Sequence, residues 1–289
     1  MSHTLSDSKI TFVGAGSMAE AIVRGLVSVQ PDSAANVYVT NRSNTAQLEK
    51  LHELYGVQYV TDPADKIKVV QDADIVILAF KPKDAVEGLI GLKSCLRKEQ
   101  LIVSVIAGLS MATIEAILGV SGQPIVRTMP NTSSTIGLGA TGLSFSTAVT
   151  EEQRQLALEM FETTGIVSVV KESLLDIVTG VSGSGPAYIY YMMEAMISGG
   201  VQGGLSPEEA RRLTVQTVLG AAQMVETTGE DPADLRRKVT SPNGTTQAAL
   251  EKLASYEFET AVSQAVLRAA ERASEIGAAL SDSVISKSK

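Results

Sequence analysis

The sequence predicts an α/β protein, with a doubly wound parallel sheet in the N-terminal part and an all-helical C-terminal part. Three observations carry this reading. Strand-like and helix-like stretches alternate as far as Lys171, which is the pattern of a parallel sheet covered by helices on both faces. A glycine-rich turn, Gly14-Ala15-Gly16, joins the first strand to the first helix. Beyond Lys171 no stretch reads as a strand, and one apolar helix follows another. A length of 289 residues suits about two domains. The expected division is 1–171 and 172–289.

The elements follow in order. Lys9-Ile10-Thr11-Phe12-Val13 is a short β-rich run ending at Gly14. Ser17 to Val29 has helical period, with Met18, Ile22, Leu26 and Val29 on one face. Val37 to Thr40 is a second strand, Thr45 to Leu54 a second helix, and Val57 to Val60 a third strand. Asp74 to Ala79 is almost wholly apolar, as a parallel strand buried on both faces should be. Leu101 to Val105 reads the same way, with further strands at Pro124 to Thr128, Leu138 to Phe145 and Ile166 to Val170. Thr150 to Thr164 is a helix opened by a capping box, Thr150-Glu151-Glu152-Gln153.

In the helical part, Pro186 to Gly199 comes first. A helix from Ser206 to about Thr227 has Ser at the N-cap, Pro at N1 and Glu at N3. Pro232 to Val239, Thr245 to Ala254 and Phe258 to Ala279 complete the set, and Ser281 to Lys289 reads as a frayed polar tail. These helices carry more apolar faces than one compact layer buries, so a subunit interface is expected there.

Composition excludes several kinds of chemistry. The chain has two His, one Cys and no Trp. It cannot supply the Cys- and His-rich ligand sets of the common zinc sites, so no metal is expected. His3 lies in a polar opening stretch and His52 follows a helix-like run, both read as solvated and non-catalytic. That argues against Ser-His-Asp or Cys-His hydrolysis. Cys95 reads as a semi-buried helix residue, and a single Cys forbids a disulfide within the chain. The formal charge is −8 without any basic block, so nucleic acid is not an expected partner. The first residues hold no apolar signal segment and no run is long enough to span a bilayer, so a cytoplasmic protein without a membrane partner is expected.

Gly14-Ala15-Gly16-Ser17-Met18-Ala19 fits the G-x-G-x-x-[G/A] pattern, and it stands between a strand and a helix. In that context the motif reads as a Rossmann-type dinucleotide site. Gly14 serves the tight turn, Gly16 the close approach of a pyrophosphate, and Ala19 the packing of helix on sheet. The free N–H groups of the helix start, over Ala15, Ser17 and Met18, face the phosphates. At the end of the second strand, Thr40-Asn41-Arg42-Ser43 offers no carboxylate for a ribose 2′-OH. Arg42 instead presents a guanidinium fork for a 2′-phosphate, which favours NADPH and leaves NADH open.

Further stretches make the reading specific. They are Lys81-Pro82, Arg127-Thr128-Met129-Pro130-Asn131, Val181 to Tyr188 within Val-Ser-Gly-Ser-Gly-Pro-Ala-Tyr, and Ser241-Pro242-Asn243-Gly244-Thr245-Thr246. With the glycine turn, and in this order, they resemble pyrroline-5-carboxylate reductase over roughly residues 9 to 280. The resemblance implies reduction of L-1-pyrroline-5-carboxylate to L-proline, the last step of proline biosynthesis. It also implies a helical domain that forms homodimers, with decamers as a further assembly. Carried over by position, Ser241 to Thr246 is the substrate loop. Gly244 and Thr245 hold the carboxylate through N–H groups, and Thr246 orients the ring nitrogen. Met129, Pro130 and Asn131 lie near the nicotinamide, with Ala79, Lys81 and Pro82 along the cofactor.

Two departures from the family pattern matter. Asn243 stands where a glycine is usual, and Asn tolerates a positive φ better than other residues. Thr61-Asp62-Pro63 stands where an Asn would help the 2′-phosphate, which weakens the NADPH preference. Two rival readings remain at this stage. One is a β-hydroxyacid dehydrogenase-like oxidoreductase, disfavoured because no Lys occurs between Lys171 and Lys238. The other is a non-catalytic dinucleotide-binding protein. Glu194 is the candidate buried carboxylate of the helical part, expected as a structural partner.

Overall fold

The structure, a computed structural model, describes residues 4–287 and their side chains as far as residue 282. The elements are β1 (Ile10–Val13), α1 (Ser17–Val29), β2 (Val37–Thr40), α2 (Thr45–Tyr55), β3 (Gln58–Tyr59), α3 (Pro63–Asp72), β4 (Ile75–Leu78), α4 (Ala85–Leu92), β5 (Leu101–Ser104) and α5 (Met111–Leu118). There follow β6 (Ile125–Met129), β7 (Gly139–Phe145), α6 (Glu151–Glu162), β8 (Gly165–Val169) and α7 (Leu175–Val178). The helical remainder is α8 (Gly185–Gln202), α9 (Pro207–Thr228), α10 (Pro232–Lys238), α11 (Thr245–Ala254) and α12 (Phe258–Lys287).

The eight strands form one sheet in the order β3-β2-β1-β4-β5-β6-β7-β8. The first six strands in this order are parallel, β7 runs antiparallel to β6, and β8 is parallel to β7. That is the doubly wound order, with its reversal between β1 and β4. The apolar runs explain why the centre is parallel. All four residues of β4 and of β5 are buried, so helices cover both faces. Side chains alternate between two cores, Ile75, Ile77, Leu101 and Val103 on one face and Val76, Leu78 and Ile102 on the other.

The expected elements all form, with ends shifted by a few residues. Three readings need correction. Cys95 is buried, but in the turn that follows α4 rather than in a helix. Ser281 is not frayed, because α12 continues to Lys287. Leu280 packs on the second core cluster and Ser281 Oγ lies 2.8 Å from Thr113 Oγ1, contacts that reward an ordered end. Glu194 is exposed rather than buried, since α8 buries none of its residues within this chain. His3 lies outside the described residues.

The chain divides into two compact units, one running to Ser184 and resuming at Arg268, the other covering Gly185–Leu267. The sheet-bearing unit thus extends past Lys171. The physical reason is a partly buried ion cluster around buried Arg127. Arg127 of β6 donates to Asp176 at 2.9 Å and lies 3.5 Å from Glu172, which fastens the 172–176 segment to the sheet. Leu175 is buried beside it. Among the described residues no helix is long and apolar enough to cross a membrane.

Candidate functional site

Helix starts separate the ordinary from the unusual. Asn44, Asp62, Ser110, Thr150, Ser206 and Asp231 each cap a helix with a side-chain oxygen. That satisfies N–H groups which otherwise have no partner. Helices α1 and α11 open instead on glycines, Gly16 and Gly244, with no side-chain cap. Both leave N–H groups and the positive end of a helix dipole free for an anion. They are the two helix starts that the sequence singled out for ligands.

In the sheet unit, the strands from β3 to β6 in the sheet order point their C-terminal ends to one edge. Gly14 has φ +109, and a Cβ there would come within 2.5 Å of the Ala79 carbonyl oxygen. Only glycine lets the turn after β1 cross so close to the exit of β4. Its N–H donates to Thr40 O at 3.0 Å, tying the turn to β2 as well. Ala15 is buried, and Ala19 is fully buried against the first core cluster together with half-buried Met18. Gly16 and Ser17 are exposed, and a Cβ at Gly16 would meet nothing within 4 Å. The cradle is therefore open where a pyrophosphate needs to approach, and its residues fit a dinucleotide.

After β2, the Ser43 N–H donates to Asn41 Oδ1 at 3.4 Å, shaping the loop around Arg42. The Arg42 side chain is 76% exposed, with Nη1 3.4 Å from Glu87 Oε2 and 3.9 Å from Asp84 Oδ1. Its guanidinium is free enough to meet a 2′-phosphate but has carboxylate competitors. Asp62, at the other position considered for the phosphate, is occupied as the N-cap of α3, accepting from Ala64 N at 2.8 Å. Lys81 is exposed, and Pro82 opens a short 3₁₀ turn ahead of α4.

Met129 ends β6, and Pro130 and Asn131 behind it are buried. Asn131 spends its amide within the protein. Nδ2 donates to Ser182 O at 3.0 Å and Oδ1 accepts from Ala140 N at 3.3 Å. Ser182 belongs to a π-helical turn, Thr179–Gly183, that leads into α8. Such turns are often found at functional sites. A Cβ on Gly183 would come within 2.6 Å of the Met129 methyl, so glycine there makes room for Met129.

Two parts of this edge escaped the sequence reading. The exit of β5, Val105 to Gly108, must lie between those of β4 and β6, and the strand order was the signal that pointed to it. Arg127 was the other, a buried cation in the middle of an apolar strand, where a carboxylate partner had to exist.

In the helical unit, Ser241 to Thr246 form a turn running into α11. Asn243 takes φ +59, the left-handed conformation its residue type tolerates, and its N–H donates to Gln247 Oε1 at 2.8 Å. The Gly244 N–H donates to Ser241 O at 3.0 Å and closes the turn. Ser241 and Thr245 are exposed and Thr246 is half-buried, in the first turn of α11. Among the described residues the Thr246 hydroxyl has no hydrogen-bond partner.

Comparison with known proteins agrees on both parts of the chain. Residues 9–108 match the family model described as NADP oxidoreductase, coenzyme F420-dependent, and residues 172–276 match pyrroline-5-carboxylate reductase dimerisation. Pyrroline-5-carboxylate reductase 1 of Bacillus subtilis is 44% identical over 268 residues, covering 93% of this chain and 89% of that protein. A solved pyrroline-5-carboxylate reductase from Coxiella burnetii superposes with a TM-score of 0.85 at 39% identity, covering 93% of this chain and 98% of that one. The Plasmodium falciparum pyrroline carboxylate reductase, solved with NADP bound, gives a TM-score of 0.82 at 28% identity, covering 94% and 99%. With one relative this similar over nearly all of its length, the chain belongs to the pyrroline-5-carboxylate reductase family.

Proposed function

We propose that the protein reduces L-1-pyrroline-5-carboxylate to L-proline, with NADPH preferred and NADH usable. The observation that carries this reading is the pair of glycine-opened helices, one on the Gly14-to-Ala19 turn and one on the Ser241-to-Thr246 loop. One suits a pyrophosphate and the other a small carboxylate. A β-hydroxyacid dehydrogenase or a non-catalytic binding protein is supported by no comparable feature.

The residues divide the work. The Gly14-to-Met18 backbone holds the pyrophosphate, and Arg42, with Asn41 and Ser43 beside it, holds the 2′-phosphate. Ala79, Lys81 and Pro82 run along the cofactor, and Met129 and Pro130 back the nicotinamide. Asn131 acts there as a brace rather than a contact, since its amide is engaged by Ser182 and Ala140. Bound nicotinamide supplies the hydride that C5 of the cyclic imine accepts. Gly244 and Thr245 hold the substrate carboxylate through their N–H groups, with Ser241 and Asn243 shaping the loop. The Thr246 hydroxyl orients the imine nitrogen, whose proton comes from solvent. Thr246 is too weak an acid to drive the step, so its contribution is alignment.

In this reading residues 1–171 serve the cofactor and 172–289 serve substrate binding and dimerisation. The working unit is a homodimer built through the helical part, with decamers as a further assembly. The reaction belongs in the cytoplasm, where the Cys95 thiol stays reduced.

The test is to follow NAD(P)H absorbance after adding pyrroline-5-carboxylate to protein with NADPH, and separately with NADH. Substrate-dependent decay with both, and the larger kcat/KM for NADPH, is expected. No decay with either cofactor overturns the reductase reading. A larger kcat/KM for NADH overturns only the coenzyme preference.

A further inference from the structure

We propose that the C-terminal end of α12 is a positioning strap for the loop that leaves β5, and through it for the nicotinamide half of the cofactor site. The inference rests on the cofactor reading above. Because β5 lies between β4 and β6, the loop from Val105 to Ser110 emerges between Ala79 and Met129 on the edge where a dinucleotide binds.

Three anchors hold that loop from behind. The first joins two backbones. A Cβ on Gly277 would come within 2.6 Å of Gly108 O, and a Cβ on Gly108 within 3.0 Å of Gly277 N and 3.2 Å of Ala273 O. Gly108 also has φ +76, so its conformation and its contact both call for glycine. The second anchor is one turn further along α12. Ser281 Oγ lies 2.8 Å from Thr113 Oγ1, which is itself 2.8 Å from Oγ of Ser110, the N-cap of α5. The third is Glu172, which accepts the Met111 N–H at 2.8 Å while it faces Arg127. Leu280 adds apolar packing to the cluster that contains Ile106 and Leu109.

These contacts are not needed to close the sheet, whose strands are already paired. They fix where one loop sits. The family model for dimerisation ends at residue 276, so the docking turn from Gly277 to Ser281 lies beyond it. Where backbone meets backbone, no long side chain is present to absorb a shift, so a displacement of this helix end is passed to Ala107 and Gly108. Gly277, Ser281 and Thr113 are therefore positioning residues.

The experiment compares the full chain with Gly277→Ala and, independently, Ser281→Ala, which adds no atoms and keeps the fold. Two ligands are titrated. NADPH is followed by the fluorescence of its reduced nicotinamide, and 2′,5′-ADP, which lacks the nicotinamide, by calorimetry. For Gly277→Ala the nicotinamide fluorescence enhancement on binding should fall about threefold and kcat about tenfold, with the 2′,5′-ADP dissociation constant unchanged. Ser281→Ala should move the same two readouts in the same direction by about twofold, again sparing 2′,5′-ADP. If both variants keep the wild-type fluorescence and kcat, or if 2′,5′-ADP weakens in step with NADPH, the strap is overturned. Failure of the wild-type protein to bind either ligand overturns the cofactor reading, and the strap with it.

Discussion

At the scale of single residues, conformational freedom and charge decide what the site tolerates. Asn243 holds φ +59 in the loop proposed to bind substrate. Asn243→Gly should therefore leave the KM for pyrroline-5-carboxylate within about twofold, because glycine enters this region freely. Asn243→Val forces a β-branched side chain into it at a cost of roughly 1–2 kcal/mol, and KM should rise about tenfold. Steady-state kinetics on both variants check this, and equal KM values in the two would show that the loop does not use its left-handed turn. Thr246→Ala should lower kcat/KM about tenfold without changing cofactor affinity, as expected for a group that aligns the imine; unchanged kinetics would remove it from the reaction. Arg42 gives a sharper contrast. Glu87 lies 3.4 Å from its guanidinium, where it would compete with a bound 2′-phosphate. Glu87→Gln should lower the KM for NADPH about threefold and leave that for NADH alone, whereas Arg42→Ala should raise the KM for NADPH about tenfold. Asn243, Thr246 and Arg42 were legible in the sequence as candidates because each stands in a motif, whereas Glu87 stands in none. Asn131 was less legible. Its proposed place beside the nicotinamide came from resemblance, and only the fold reveals that its amide is bound to Ser182 and Ala140.

At the scale of elements, periodicity and capping made the helices and strands readable, and long-range contacts made the exceptions. Helix α1 matches its expected span from Ser17 to Val29 because its apolar face and glycine start are both local signals. The continuation of α12 through Ser281 was not legible because the sequence there turns polar, and the contact that rewards it is with Thr113, far away in sequence. Likewise the sequence near residue 171 marks where strands stop. It does not disclose that Arg127 ties the following segment back to the sheet. Between α1 and α2 one ion cluster has a measurable consequence. Burial alone would raise the Glu20 carboxyl, but hydrogen bonds from Lys50 and Gln47, together with the Lys50 charge, outweigh it and hold Glu20 below its ordinary value of 4.5. A carboxyl with a lowered folded-state value adds stability that is present above its unfolded value and is lost as pH falls through the folded one. The linked loss therefore begins below about pH 4.5. With Lys50 half-exposed, the pair contributes only ~0.5 kcal/mol. Glu20→Gln should lower stability by about that amount at pH 7, and the gap should narrow as pH falls below about 4.5. Urea unfolding at matched protein concentration measures both points. A gap that stays constant across that range would remove the linkage from Glu20.

At the scale of the whole molecule, the helical unit leaves faces that its own described residues do not cover. Helix α8 buries none of its 18 residues, and α9 buries only Ala210 and Thr214 of its 22. Tyr191 is 77% exposed, and Leu213, Leu219 and Met224 on α9 are each more than half exposed. Single exposed apolar residues are unremarkable, but a run of them along neighbouring helices is what an oligomer interface looks like in an isolated protomer. The sequence foresaw this from apolar content. It misjudged Glu194, because an apolar helix leads one to expect burial inside the chain. Residues 172–276 match a family model described as pyrroline-5-carboxylate reductase dimerisation, which supports a homo-oligomer and makes a second copy the cover to test. In a two-fold contact each substitution acts twice. Leu219→Asp puts two carboxylates where apolar surface should close, at a cost of roughly 2–4 kcal/mol or more. Sedimentation at low micromolar concentration should show the wild-type protein as an oligomer and the variant dissociating, with a thermal midpoint that falls on dilution. Since the sheet unit has its own buried cores, the variant should keep 2′,5′-ADP binding even as it loses reductase activity. A variant that retains the wild-type mass and midpoint at every dilution would place the interface on another face.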